Sequence, residues 1–155
     1  MGMQSPAYCG EIEERMMYTK PMLGAADAMA AMEAMFKEAS KEANRPLAFA
    51  IVDDAGDLFA YARMDGLGPN PKQIAIKKAY TAARMRVDTA TLAERMKSQG
   101  RSIMEFGDPN LMALQGGIPI MVNGACLGAI GASGRASQED EDIAKVGLAA
   151  MKLSE

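Results

Sequence analysis

The chain has 155 residues, 49% of them hydrophobic, which suits one domain with a real core. Its net charge of −3 and pI near 5.1 argue against a nucleic-acid partner, because binding phosphates needs a basic face. No apolar run approaches the roughly 18 residues of a membrane span, so no membrane association is expected.

There is no histidine, which removes the commonest general base, metal ligand and haem ligand. No metal site is expected. Fifteen methionines and no tryptophan suggest a core and interfaces filled by adaptable side chains. Cys9 and Cys126 do not make a disulfide framework, and Cys126 lies in a strand pattern as a small core residue.

Residues 1–18 form a leader, either flexible or in contact with other subunits, and residues 19–155 a single domain. The leader has no apolar signal-peptide core, which points to a cytoplasmic protein. Its Glu11-x-x-Glu14 pair fits a solvated turn better than an iron-type carboxylate pair.

Residues 21–43 predict the first helix. Pro21 suits its first turn, Met22, Ala25, Ala26, Met29, Met32 and Phe36 form an apolar face, and Asn44-Arg45-Pro46 stops it. Phe49–Val52 and Leu58–Tyr61 then predict a hairpin turning through Asp53-Asp54-Ala55-Gly56-Asp57. Asn70 and Pro71 predict the cap and first residue of a helix running to about Arg86, and Asp88 predicts the cap of a third helix over roughly 89–98. Residues 99–115 read as irregular. Residues 118–122 and 125–130 flank Asn123-Gly124, the strongest short hairpin signal, because a type I′ turn needs positive φ at both central positions. A loop over Gly131–Arg135 follows, and Ser137 with Asp140 predicts a capping-box start for the last helix. Pro119 places its strand at a sheet edge. The expected fold is α+β: an antiparallel sheet built from two hairpins, with helices packed on both faces.

Four pieces could form a ligand pocket. They are Arg63, Asp65 and Gly66 at a strand exit; Lys77, Lys78, Tyr80, Thr81 and Arg84 on the second helix; Gly116-Gly117; and Gly131-Ala132-Ser133-Gly134 before the last helix. Backbone N–H groups and nearby cations suit a carboxylate. Each piece also has a plainer use: Arg63 and Asp65 as a local pair or turn cap, the lysines and Arg84 as a solvated helix face, the glycines in turns and strand–helix packing, and Tyr80 as a core or interface aromatic.

Val52-Asp53-Asp54-Ala55-Gly56, Arg63-Met64-Asp65-Gly66, Ile74–Ala79, Thr81-Ala82-Ala83, Gly116–Ile120, Gly128–Gly134 and Gly147–Ala150 together resemble the GlcG- and HbpS-like family. That family is similar to the C-terminal domain of PduO-type corrinoid adenosyltransferases. The resemblance spans about Ala48 to Met151. It implies the same antiparallel sheet and a homo-oligomer. It carries a haem-binding or haem-degrading label, and some relatives sit beside small-acid catabolism. No cofactor is certain, and haem is the one the family suggests. The chain departs from members that use a histidine ligand, so an axial role would fall to Tyr80, Thr81, Lys77, Lys78 or a methionine. Weak haem binding, or none, is expected under reducing conditions.

The function read from these features is binding of an anionic organic small molecule. The alternative is a cofactor-independent enzyme acting on a small organic acid by proton transfer, elimination or hydration, with no catalytic residue assigned. Its base would be Lys77, Lys78, Tyr80 or Asp65. The family's recurrent lysine aligns with Lys78. The expected site is therefore Lys78 and Thr81, with Tyr80, Gly116, Gly117, Ser133 and Gly134, closed by Arg63, Asp65 and Gly66, and with Arg84 nearer the surface.

Overall fold

A computed structural model describes residues 18–153. Four helices and four strands follow in the order α1 (Ala25–Ala39), β1 (Ala48–Asp53), β2 (Leu58–Arg63), α2 (Pro69–Met85), α3 (Thr89–Ser98), β3 (Gly117–Val122), β4 (Ala125–Ser133) and α4 (Ser137–Ala150). The sheet order is β2-β1-β4-β3 and every pairing is antiparallel. The two hairpins thus join side by side through β1 and β4. Asn123 (φ 48°) and Gly124 (φ 79°) make the second turn with the left-handed geometry that their residue types favour. Pro119 lies on edge strand β3.

The two faces of the sheet are packed differently. Under α1 and α4 lies a thick layer of large side chains, including Met32, Met35, Leu47, Phe49, Ile51, Ile120, Ile130 and Ile143. Under α2 the layer is thin and almost entirely alanine: Ala48, Ala50, Ala75, Ala79, Ala82, Ala83 and Ala129. Small residues let helix and sheet backbones approach. At Gly131 the approach is so close that a Cβ would strike Ala75 O and lie 2.6 Å from Ala79 N. This close contact fixes α2 across β4 and sets the position of every side chain α2 carries.

Several boundaries differ from the sequence expectation. Helix α1 begins at Ala25, capped by Gly24, and a short 3-10 turn Ser40–Glu42 extends it. Its buried stripe is Ala28, Ala31, Met32, Met35 and Ala39, whereas Met29 and Phe36 stay exposed. Alanine and methionine surround this helix, so apolar spacing alone does not choose the inner face. Pro69, not Pro71, takes the first helical position of α2. The segment 99–115 contains a 3-10 turn, Ile103–Phe106, closed by a reciprocal Ser102–Glu105 capping box. Strand β4 runs on through Ser133, so Gly131-Ala132-Ser133 is strand rather than loop. Asp140 does not join a capping box with Ser137 but turns into the core. The leader before Tyr18, with Cys9 and the Glu11/Glu14 pair, lies outside the described residues.

Candidate functional site

The sequence-derived site residues fall into two groups. The inner group surrounds Lys78, which is 1% exposed. Its Nζ donates to Ala132 O at 2.9 Å and to Asp140 Oδ2 at 2.8 Å. Asp140 Oδ1 accepts from the backbone N–H of Arg135 at 2.9 Å. Burial pushes the Asp140 carboxyl up, while Lys78 pulls it down. Gly116 and Gly117 sit against this pair. A Cβ on Gly116 would lie 2.8 Å from Lys78 Nζ, and one on Gly117 would strike Lys78 O and approach Thr89 Cγ2. The two glycines therefore admit the lysine and its helix rather than opening space. Ser133 is buried at the end of β4, and Gly134, beyond it, packs by Pro46. This group ties α2, β4 and α4 together.

Thr81 is buried and used twice. Its Oγ1 donates to Lys77 O at 2.7 Å and accepts from Met112 N at 2.8 Å. Lys77 Nζ donates to Pro109 O at 3.1 Å, and Tyr80 Oη donates to Asp108 Oδ2 at 2.7 Å. Three neighbouring α2 side chains thus strap the 108–112 segment onto the helix. The shared hydrogen bond raises the Tyr80 phenol and lowers the Asp108 carboxyl. The Arg84 guanidinium lies 5.7 Å from the Tyr80 ring centroid, and it reaches Ala55 O at 3.4 Å. Gly56 (φ 90°) is packed so close to this ring that a Cβ would lie 2.7 Å from Tyr80 Cδ2.

The outer group lies at the opposite, β2 side of α2. Arg63, Asp65 and Gly66 are exposed there, and space is open beside Gly66. Ala48 pairs with Arg63 and Ala50 with Tyr61 in the β1–β2 register. Directly opposed residues share a face, and both alanines belong to the layer under α2. Tyr61 and Ile76 of α2 each pack against that layer, to which buried Leu67 also belongs. Lys72 lies one turn before Ile76 and is half-buried. A β-bulge at the start of β2 leaves Phe59 exposed at 42%. Together these form an open shelf, apolar at its base, with Arg63, Lys72 and the carboxylate of Asp65 around it. Burial raises the Tyr61 phenol above its ordinary range, and Arg63 pulls the other way. No hydrogen bond from another described residue reaches its hydroxyl. Sequence reasoning did not single out Tyr61. The available signal was its place two residues before Arg63, at the spacing that puts both on one strand face.

Two further sites stood outside the sequence reading. Arg135, whose side chain is 5% exposed, donates to Ala39 O at 2.9 Å, Arg45 O at 2.8 Å and Glu42 O at 3.1 Å, closing the end of α1. A cleft of about 520 Å³ is lined by Asp88, Thr91, Gln115, Pro119, Glu141 and Lys145. Its Glu141 is already engaged, accepting from Lys145 Nζ at 2.6 Å and Gln115 Nε2 at 2.8 Å, and Asp88 caps α3 through Thr91. Among the described residues, no group of three or more His, Cys, Asp or Glu side chains could hold a metal ion, and no helix is long and apolar enough to cross a membrane.

Comparison with known proteins agrees with this architecture. A family model described as haem degrading protein HbpS-like matches residues 23–149. Protein GlcG of Escherichia coli K12 is 38% identical over 117 residues, covering 76% of this chain and 85% of that protein. An uncharacterized 15.0 kDa protein from the dhaT-dhaS intergenic region of Citrobacter freundii is 32% identical over 69% of this chain and 77% of its own length. A double mutant of Streptomyces reticuli HbpS superposes with a TM-score of 0.79 at 30% identity, over 88% of this chain and 92% of that one. The PduOC:heme complex superposes at 0.78 and 25% identity, over 86% of this chain and 98% of that one. With the sheet order, the matched span and the identity to GlcG in agreement, the chain belongs to the HbpS-like family.

Proposed function

We propose that this chain is a small-molecule-binding protein whose ligand is an anionic organic compound held on the shelf between β2 and α2. The observation that carries this reading is the setting of Arg63. Its guanidinium is exposed and forms no ion pair with another described residue. It lies two residues from Tyr61 on the same strand face, and Tyr61, Ile76 and Leu67 belong to the apolar layer under α2. A ligand with an apolar body and a carboxylate matches that pairing, since polar groups fix orientation while apolar walls supply most of the contact. Lys72 offers a second cation on the same flank.

Haem belongs to this chemical class, being a flat apolar ring with carboxylate arms. It is supported by the family description and by the heme named in the PduOC complex. The donor set of this chain fits haem in one way only partly foreseen. There is no histidine, but Tyr61 packs against the layer under α2 and its hydroxyl has no hydrogen-bond partner among the described residues, and tyrosine is a known kind of haem ligand. The iron, when bound, would supply a Lewis-acid centre for that oxygen. Within this reading the inner group of Lys78, Asp140, Gly116 and Gly117 frames the site without touching the ligand.

The enzyme alternative draws less support. Two of its named bases are occupied, Lys78 by Asp140 and Ala132 O, and Tyr80 by Asp108. Mass spectrometry of compounds that co-purify with the protein, followed by titration with aliphatic carboxylates, aromatic carboxylates and ferric haem, tests the proposal. Arg63→Ala should weaken binding by about tenfold, equivalent to ~1.4 kcal/mol. Unchanged affinity for every compound removes the shelf as the site.

A further inference from the structure

We infer that the cleft lined by edge strand β3, the start of α3 and the first half of α4 binds an ammonium or guanidinium group on a short apolar stem, with Glu141 as its seat. This goes beyond the proposed function and uses none of the shelf residues.

The cleft encloses about 520 Å³, a size that suits a small organic ligand. Its polar groups are nearly all acceptors. Asp88 and Glu141 are carboxylates. Gln115 uses its Nε2 on Gln138 and Glu141, which leaves Oε1, an acceptor. Thr91 turns its hydroxyl hydrogen to Asp88. Gly116 O accepts from Ala132 N, and bonding alternates along an antiparallel pair, so the backbone groups of Gly117 and Pro119 point away from β4. Gly117 agrees with this, because its N–H goes to Thr89 Oγ1. Pro119 has no N–H, so it presents only a carbonyl oxygen at that edge. Among the described residues lining the cleft, Lys145 is the one charged donor. A ligand that fills this space must therefore bring donors of its own.

Lys145 shows which donor suits it. Its Nζ sits on Glu141 Oε1 at 2.6 Å, on a side chain that is 57% exposed, whereas the Glu141 side chain is 12% exposed. The carboxylate is thus fixed, by burial and by Gln115, while the cation on it hangs from a flexible, solvated stem. An exposed pair four residues apart on a helix contributes little, so an incoming cation can take Lys145's place at small cost. Glu141 holds the Lys145 ammonium above its ordinary range, with Asp142 and Asp88 adding to the effect. Two carboxylates against one ammonium leave the cleft with a negative field, which the second cation would answer. Buried Ile118, with Pro119 and Ala90, supplies an apolar wall for the stem.

The test is calorimetric titration of the full chain with butylammonium and butylguanidinium, with butyrate and butanol as controls. Both cations should bind and both controls should not. Glu141→Gln keeps the shape of the side chain and should weaken cation binding by about tenfold. Asp88→Asn, which still caps α3, should weaken it by about threefold and serves as the second variant if Glu141→Gln lowers the urea midpoint. Lys145→Met removes the resident competitor and should tighten binding, a change that a merely structural role would not produce. Arg63→Ala should leave it unaltered. Cation affinity that Glu141→Gln and Asp88→Asn both leave unchanged overturns the inference. So does preferential binding of butyrate that Lys145→Met abolishes, since the cleft would then be an anion site. Sedimentation with saturating butylammonium separates two sources of the same group. Unchanged sedimentation supports a free amine, and a shift to smaller species supports a lysine or arginine side chain from a second copy of this chain.

Discussion

Lys78 Nζ lies 2.8 Å from Asp140 Oδ2, and neither residue is more than 2% exposed. The pair joins the middle of α2 to the first turn of α4 across the end of β4. A buried ion pair gains little over an apolar pair of the same shape, but removing one partner strands the other charge at a cost of about 3–5 kcal/mol. Lys78→Ala should therefore lower stability by about that much, and Asp140→Asn by less because a hydrogen bond survives. The double variant Lys78→Met/Asp140→Leu should recover part of the loss. Urea midpoints of the three variants check this, and a Lys78→Ala protein as stable as the wild type would contradict the frame role assigned to the pair.

A close contact between layers lies at Gly131, and it makes a sharper prediction. A methyl there would strike Ala75 O and sit 2.6 Å from Ala79 N, both backbone atoms of α2. Neither can yield as a flexible side chain would. Gly131→Ala should destabilise by about 3 kcal/mol or more, beyond the usual overpacking cost. Gly124→Ala is the control. It faces open space and carries only the strain of its φ of 79°, so it should cost less.

Local signals carried most of the fold. Asn123-Gly124 specified its turn because few other residue pairs tolerate two left-handed positions in a row. Asp88 caps α3 through Thr91 N at 2.7 Å, as its residue type predicts. Where chemistry was uniform, the signal failed. Helix α1 is ringed by alanine and methionine, and its inner face was chosen by contacts with α4 and β2 that no periodicity encodes. The extension of β4 through Gly131 and Ser133 was hidden because glycines that serve close packing look like loop glycines in a sequence. The site divided for a similar reason. Lys78 and Lys77 are adjacent in sequence yet one is sealed against Asp140 and the other reaches Pro109 O at the surface, a distinction set by how α2 lies on the sheet. Tyr61 was legible only as a strand residue, and its packing against the layer under α2 is a tertiary fact.

Acid should loosen the molecule from its edges. Arg45 donates to both oxygens of Glu139, at 2.8 and 2.7 Å, and holds that carboxyl below the ordinary range. The hydrogen bond from Tyr80 does the same for Asp108, and those of Ser102 N and Arg101 for Glu105. A depressed carboxylate contributes stability that is complete above its unfolded value, near pH 4, and is lost as pH falls through its folded value. The contribution of these three carboxylates should therefore stay complete from neutral pH to about 5 and decline below about 4, while the raised Asp140 works in the opposite sense. Glu139→Gln should flatten part of that decline. A steady loss already between pH 7 and 5 would contradict the assignment.

The surface carries apolar side chains that suit a contact between copies. Met29 is 60% exposed and Phe36, seven residues on along α1, is 43% exposed, while Leu58 on edge strand β2 is 53% exposed. Residues seven apart on a helix share a face. Apolar side chains placed so regularly fit a contact between copies of this chain. We expect a homo-oligomer in sedimentation at micromolar concentration. Met29→Glu should shift it toward smaller species without altering the far-ultraviolet circular dichroism. A wild-type monomer under those conditions would remove this expectation.

The strap over α2 makes the last prediction. Thr81 Oγ1 is both donor to Lys77 O and acceptor for Met112 N. Valine matches threonine in shape but offers no oxygen, so Thr81→Val leaves the Met112 N–H without its partner. An unsatisfied amide costs about 1–3 kcal/mol when it stays buried. Here the 108–112 segment can lift instead and give the amide to water, because its remaining hydrogen bonds to α2 among the described residues are Lys77 to Pro109 O at 3.1 Å and Tyr80 to Asp108 at 2.7 Å, with buried Leu111 as its one apolar anchor. The expected result is faster hydrogen exchange confined to residues around 108–114, with the alanine layer beneath α2 as protected as before. Tyr80→Phe should add to the effect, since it cuts the neighbouring tie, whereas Arg63→Ala on the far flank should leave the strap unchanged. Exchange that accelerates equally across α2 and β4 would mean that Thr81 supports the packing of the helix itself rather than the segment lying over it.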